Sequence, residues 1–398
     1  MRFSITAMSG VAAVLLASPA PASAQDTNKD TLKIGLVMTL SGQFADAGIQ
    51  MQNGVKTYMK EHGETIGGKK IELIVKDSGG MAPDVAKRLT QELVVRDNVD
   101  IIAGFVLTPN ALAAGDVSAE AKKFMVVMNA ATSIVTTKSP YMVRSSVTLP
   151  QVAETFGTWA ATKGGIKKSY TMVTDYGPGH DFEAGFQRAF KEAGGEITGS
   201  VRFPIANPDF SAFVQRAKDL NPESIMVFVP GGAQPAALGK AIAERGIDLN
   251  KIKVLGSGET TSEQALKSMG DASLGMITAW HYEYTDKAPK NVAFVKLYNE
   301  MHKRNPDFFS IGGYDGMHVI YEAVKKAGGK TDGDSLIAAA KGLKWDSPRG
   351  PMSIDPETRD VVQTIYIRKV EKVNGEPQNV AFDKVANVKD PVKARMPK

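Results

Sequence analysis

Hydroxyls and free amides, rather than acids, bases or thiols, are the groups this chain places where chemistry could happen. Phe105-Val106-Leu107-Thr108-Pro109-Asn110 follows one apolar run and Met128-Asn129-Ala130-Ala131-Thr132-Ser133 follows the next. Pro109 suits the first turn of a helix, which makes Thr108 the expected N-cap and turns its hydroxyl and the following amides toward a cleft. Two such turns meeting at one sheet edge hold a carboxylate with neutral donors alone. That chemistry is binding, without bond making or breaking.

Other segments stand in the same relation to an apolar run. Ser41-Gly42-Gln43-Phe44-Ala45-Asp46-Ala47-Gly48 comes after the first run, with Ser41 as a competent cap and Phe44 and Ala47 as candidate cleft lining. It is not a dinucleotide fingerprint, because G-x-G-x-x-G is absent from it. Further along lie Asp175-Tyr176-Gly177, Pro230-Gly231-Gly232 and Gly256-Ser257-Gly258-Glu259-Thr260. Glu259 reads either as an acceptor for a ligand ammonium or as a first-turn carboxylate at a helix start. Tyr176 and Phe228 are rings able to stack on a ligand, Phe228 being equally suited to a core.

The case for catalysis is poor. With no cysteine there is no disulfide, thiol nucleophile or thiolate metal site. The histidines at 62, 180, 281, 302 and 318 lack metal-ligand spacing, and no G-x-S-x-G, H-E-x-x-H or P-loop sequence occurs. His180-Asp181 is the one adjacent pair, read as polar surface around a helix start. A secreted hydrolase built on that pair is the reading from another class, and no nucleophile accompanies it. No cofactor and no metal are expected.

The elements that must position these residues are legible as alternation. Lys33 to Met38, Ile71 to Val75, Asp100 to Gly104 and Phe124 to Met128 read as strands separated by helices, the pattern of a parallel sheet with helical cover. Between the second and third, Val85, Leu89 and Leu93 form a stripe opposite Lys87, Arg88 and Glu92, and Pro83 and Asp84 suit a helix start. After Pro150 the pattern restarts. Helices are expected at Gln151–Thr162, Phe182–Ala193, Phe210–Leu220 and Gln234–Arg245, and strands at 170–173, 197–203, 224–228 and 253–255. Pro289–Lys303 and Tyr314–Ala327 then read as helices, and Ile365–Val370 as a strand before an Asn374-Gly375 turn. The economical architecture is α/β, two Rossmann-like lobes with parallel sheets: residues 31–145 with 282–348, and 147–279 with 352–385. Three crossings, near 142–147, 277–282 and 350–355, would form the hinge.

The ends of the chain speak to location. Arg2, an apolar run from Ala7 to Ala17, and Ala22-Ser23-Ala24 before Gln25 form a secretory signal pattern over residues 1–24. The run is too short to cross roughly 30 Å of hydrocarbon. A soluble product outside the cytoplasm is therefore expected. The net charge of +5 is spread along the chain, which gives nucleic-acid binding little support. The basic stretch 386–398 reads as a solvated tail.

In order and spacing, these motifs resemble the periplasmic solute-binding proteins of branched-chain amino acid type ABC transporters, the leucine/isoleucine/valine-binding-protein family with a type I periplasmic binding fold. The resemblance rests on Ile34-Gly35-Leu36 to Ser41-Gly42 with Ala45 and Gly48, on Gly104 to Thr108, on Ala130-Ala131-Thr132, on Tyr314-Asp315, and on Gly350 to Asp355. It implies that Thr108 and Thr132 hold a ligand carboxylate, with main-chain help from Ala130. Where amino acid binders of this family carry a tyrosine in the first loop, this chain has Ala47. Where they place an acid for the ammonium, it has Gly258, with Glu259 one step on. The resemblance thus implies a periplasmic, monomeric receptor that closes two lobes on a small carboxylate, a branched-chain or related amino acid, and passes it to a membrane permease. The alternative is an aromatic or other non-amino carboxylate, which an enlarged pocket beside Ala47 would suit.

Overall fold

The computed structural model describes Met1 and residues 30–396; the rest of the expected signal segment lies outside the described residues. Strands β1 (Thr31–Met38), β2 (Thr65–Ile66), β3 (Lys69–Asp77), β4 (Ile101–Gly104), β5 (Phe124–Val127) and β6 (Met142–Arg144) form one sheet in the order β2-β3-β1-β4-β5-β6. Every pairing in it is parallel except the small β2–β3 hairpin. Helices α1 (Ala45–His62), α2 (Pro83–Val95) and α3 (Thr108–Ala121) join the strands. Strands β4 and β5 are buried throughout, as parallel strands covered on both faces must be. In α2, Leu89 and Leu93 are buried while Lys87 and Arg88 face solvent, so the apolar period decides which side packs.

The second sheet takes its strands from α4 (Leu149–Ala161), β7 (Lys168–Thr174), α5 (Gly177–Glu192), β8 (Glu196–Phe203), α6 (Phe210–Asp219), β9 (Ser224–Phe228), α7 (Gln234–Glu244), β10 (Lys253–Ser257), α8 (Glu263–Met269) and β11 (Ile277–Trp280). The chain then returns to the first sheet through α9 (Pro289–His302), α10 (Phe308–Lys326) and α11 (Gly333–Ala340). Helix α10 lies so close to α1 that a Cβ on Gly54 would fall 1.8 Å from the Ser310 carbonyl oxygen, and one on Gly313 would fall 2.1 Å from that of Met51. Only glycine admits backbones this close. Strands β12 (Lys344–Ser347), β13 (Gly350–Ile354), β14 (Val361–Val373) and β15 (Glu376–Val388) end the chain, giving the order β12-β13-β14-β11-β10-β9-β7-β8 with β15 on β14. The β14–β11 pairing is antiparallel, so the terminal hairpin closes an otherwise parallel run.

The chain therefore passes between sheets after β6, after β11 and after α11. Arg349 ties two of these passages together. Its Nε donates to Asp315 Oδ2 at 2.7 Å, Nη1 donates to the Ser146 carbonyl at 3.0 Å and to Gln363 Oε1 at 2.7 Å, and Nη2 donates to the Ser145 carbonyl. Both partners of the Arg349–Asp315 ion pair are fully buried.

Three sequence expectations are corrected. Helix α10 begins at Phe308, not Tyr314, because Asp307 caps it by accepting from the amides of Phe309 and Ser310. Helix α5 begins at Gly177, not Phe182, with Pro178 in its first turn. The C-terminal stretch is not a solvated tail: residues 386–388 complete β15, Asp390 is 2% exposed, and Lys393 is held between Asp360 and Thr136. The fixed carboxylates waiting on the body of the protein order the basic residues.

Candidate ligand-binding site

Each sheet reverses direction once. In the first, β1 lies between β3 and β4; in the second, β7 lies between β8 and β9. Loops leaving the carboxyl ends of strands on either side of such a point splay apart and leave a crevice, the usual ligand position in open α/β sheets. Here the two crevices face each other. Between them lies a small cavity walled by both lobes, the domain-interface position typical of small-molecule sites. Phe44, Val106, Leu107, Thr108, Asn129 and Ala131 line it from the first lobe, and Tyr176, Pro178, Pro230, Gly231 and Glu259 from the second, with Phe309 at the start of α10.

The first lobe's wall is set by backbone geometry. Gly104 has φ 109° and Phe105 φ 69°, two successive residues in the left-handed region, and a Cβ on Gly104 would stand 2.5 Å from the Val37 carbonyl oxygen. That double reversal, which costs about 1–3 kcal/mol at the phenylalanine, swings residues 106–108 across the strand end. Asn129 fixes the result, its side-chain amide donating to the Val106 carbonyl at 2.7 Å. Thr108 is the first residue of α3 and Leu107 is the cap, which corrects the expectation that Thr108 caps the helix. Its hydroxyl is thereby left to Thr132, whose Oγ1 donates to Thr108 Oγ1 at 3.1 Å and whose amide reaches the same oxygen at 3.4 Å. Two hydroxyls, an amide and the positive end of α3 converge there with no cationic side chain in the cavity wall among the described residues.

Arg144 holds this turn from behind. Fully buried, it donates from Nη1 to the carbonyls of Ala130 (2.7 Å) and Thr132 (2.8 Å), from Nη2 to that of Ser133 (3.1 Å), and pairs with Asp360 at 2.9 Å. Three carbonyls pinned by one guanidinium fix the turn so that the Thr132 amide and hydroxyl face Thr108, which lines the cavity.

The second lobe offers a carboxyl group. Glu259 is 7% exposed, and its Oε2 accepts from the Gly231 amide at 2.7 Å. Burial raises its pKa to about 7, with the Gly231 amide pulling the other way. It does not sit in a helix start, since α8 begins at Glu263 behind the Ser262 cap. Tyr176 leads into α5 and lines the cavity, and burial pushes its phenol well above the usual value. Phe228 is fully buried against Phe182, with ring centres 5.4 Å apart, and belongs to the core.

Of the residues singled out in the sequence, the fold thus brings Phe44, Thr108, Tyr176 and Glu259 to one cavity, with Thr132 directly behind Thr108. Ala130 is turned into the first lobe's core and reaches the site only through its carbonyl on Arg144. Ala47 is buried in α1, and Gly258 packs beneath Trp280 beside a separate polar pocket. Ser41 makes no side-chain cap bond. His180 bonds Asp175 at 2.6 Å rather than Asp181, whose carboxylate accepts from the Ser133 amide in the other lobe at 2.8 Å; the pair is not simple surface polarity. Asn129, Arg144 and Phe309 were missed. Asn305-Pro306-Asp307, a turn followed by a capping acid, was the available signal for Phe309. No local signal marks Arg144, whose partners are distant in sequence.

The lobes touch across the cavity. A Cβ on Gly232 would stand 2.5 Å from the Gln43 carbonyl oxygen, and one on Gly177 would stand 3.2 Å from Thr132 Oγ1. This is a closed arrangement. The family model for periplasmic binding proteins matches residues 31–376. The chain belongs to the periplasmic binding protein family. Its two lobes with parallel sheets form the type I fold of that family. Among curated relatives, Leu/Ile/Val-binding protein homolog 6 of Brucella melitensis is 41% identical over 350 residues, covering 87% of this chain and 89% of the relative. Among solved structures, a solute-binding protein of an ABC transporter from Rhodopseudomonas palustris BisB5, in complex with 3,4-dihydroxybenzoic acid, is 52% identical with a TM-score of 0.88, covering 92% of this chain and 100% of that one. Another, from Rhodopseudomonas palustris HaA2 in complex with p-hydroxybenzoic acid, is 37% identical with a TM-score of 0.89 over the same shares. As a periplasmic binding protein, the chain takes a small solute between lobes that close on it.

Proposed function

We propose that this periplasmic binding protein is the receptor of an ABC importer for a hydroxylated aromatic carboxylate, exported by residues 1–24 and working in the periplasm as a monomer. Residues 31–145 with 282–343 and 147–279 with 344–388 would be the two bodies that move, the third passage falling before β12 rather than near 350–355. The observation that carries the reading is the composition of the cavity: three rings, Phe44, Tyr176 and Phe309, a neutral hydroxyl turn at Thr108, and one buried carboxyl at Glu259 that titrates near neutrality. A ligand carboxylate fits the Thr108–Thr132 turn and the first turn of α3, the aromatic ring fits between the three side-chain rings, and a phenolic hydroxyl fits Glu259 as donor or acceptor. The relative bound to 3,4-dihydroxybenzoic acid, 52% identical over nearly the whole chain, supports the same class.

A branched-chain or related amino acid is the second reading. It is favoured by the Leu/Ile/Val-binding relatives and by Glu259 as a partner for an ammonium group. Calorimetric titration of the secreted form with 3,4-dihydroxybenzoate, 4-hydroxybenzoate and leucine separates the two. The first reading is sustained by saturable one-to-one binding of the benzoates with leucine silent or far weaker, and the opposite ranking removes it.

A further inference from the structure

Ser133 follows the ligand turn directly, and three groups from separate parts of the fold hold it. Its amide donates to Asp181 Oδ2 at 2.8 Å, its hydroxyl donates to both oxygens of Asp390 at 3.0 and 2.8 Å, and its carbonyl accepts from Arg144. Asp181 lies in α5, in the second lobe. Asp390 lies beyond β15, where the chain leaves the second sheet: the Gln151 side-chain amide binds the Val388 carbonyl, Asp390 and Lys393 then reach Ser133 and Thr136 in the first lobe, and Arg395 returns to Glu154 on α4. The C-terminal segment is therefore a strap from one lobe to the other and back.

We infer that Ser133 is the node of an interlobe latch, in which Asp181 accepts its amide on closure while the C-terminal strap, through Asp390, holds its hydroxyl. Arg144 and Asp390 fix where Ser133 stands within the first lobe. Asp181 rides on the second lobe, and its neighbour Gly177 meets Thr132 in the same closed contact. Separating the lobes takes Asp181 away from Ser133, so this hydrogen bond exists in one state and not the other. A contact made in one state alone shifts the equilibrium toward that state, and a ligand that needs the closed form gains affinity from it without touching it. Asp181 is a positioning residue: it acts on the solute through Ser133 and the adjoining Thr132.

The inference rests on the reading that the Thr108–Thr132 turn carries the ligand, and the test keeps the two apart. The absence of native cysteine lets Lys87→Cys and Lys240→Cys, both at exposed positions, one per lobe, carry spin labels for interlobe distances. In that background Asp181→Ala is expected to lower 3,4-dihydroxybenzoate affinity about tenfold and to shift the distance distribution toward longer separations with and without ligand. Asp181→Asn keeps an oxygen for the Ser133 amide and is expected to restore affinity to within about threefold of the parent. The latch is overturned if Asp181→Ala binds like the parent, or if Asp181→Asn is as weak as Asp181→Ala. Should the parent bind neither benzoates nor leucine, the proposed function fails. The latch is then decided by the free protein alone, where identical distances in parent and Asp181→Ala overturn it.

Discussion

Glu259 is the sole charged side chain in the cavity wall among the described residues, and its protonation distinguishes the two ligand classes. With a pKa of about 7 it is neutral in mild acid and ionised above neutrality. A bound benzoate places a second anion in the same low-dielectric space, which raises that pKa further, so binding takes up a proton and affinity falls as pH rises from 6 to 8. A bound ammonium does the reverse: it lowers the pKa, binding releases a proton, and affinity rises over the same interval. Calorimetry at pH 6 and pH 8 is expected to show the falling trend, and Glu259→Gln is expected to flatten it while keeping benzoate binding within a few fold. At the other lobe, Thr108→Val removes the oxygen shared by the Thr132 hydroxyl and amide. It is expected to cost about 1–2 kcal/mol of binding, roughly five- to thirtyfold in affinity, measured with the same ligand. Thr108, Tyr176 and Glu259 could be read from the sequence because each follows a short apolar run. Arg144 could not, because a buried guanidinium that braces carbonyls is defined by its partners in space.

Elements explain why the turns meet. The alternation of apolar runs and amphipathic helices gave the order of the main elements from Leu32 to Leu255, since the central parallel strands are covered on both faces and read as apolar runs. What escaped were pieces whose stability is tertiary. Strand β6 is three residues long, β2 is two, and the start of α10 depends on the Asp307 cap. The cement of the passages between lobes was not foreseen. Arg349 spans Asp315 on α10, Ser145 and Ser146 after β6, and Gln363 on β14, all of it out of water. Arg349→Leu leaves Asp315 as an unpaired buried charge. Urea unfolding is expected to report a loss of about 3–5 kcal/mol, whereas a loss under 1 kcal/mol would mean that the hinge does not depend on this pair.

At the scale of the whole molecule, function is a matter of two bodies and the solute that joins them. The first lobe contributes neutral donors and a helix terminus, the second a carboxyl and the Pro230-Gly231 turn, and neither wall alone surrounds a ligand. The strap that returns from β15 to the first lobe was invisible in the sequence, since basic residues near a terminus ordinarily point into water. Only the fold sets Ser133 and Asp360 beside Asp390 and Lys393. The most direct measurement is the crystal structure of the protein with 3,4-dihydroxybenzoate. The expected result is closed lobes with the ligand carboxylate on Thr108 and the Thr132 amide, the ring among Phe44, Tyr176 and Phe309, and a hydroxyl at Glu259. A ligand bound elsewhere, or one bound here with its carboxylate turned away from Thr108, would contradict the account.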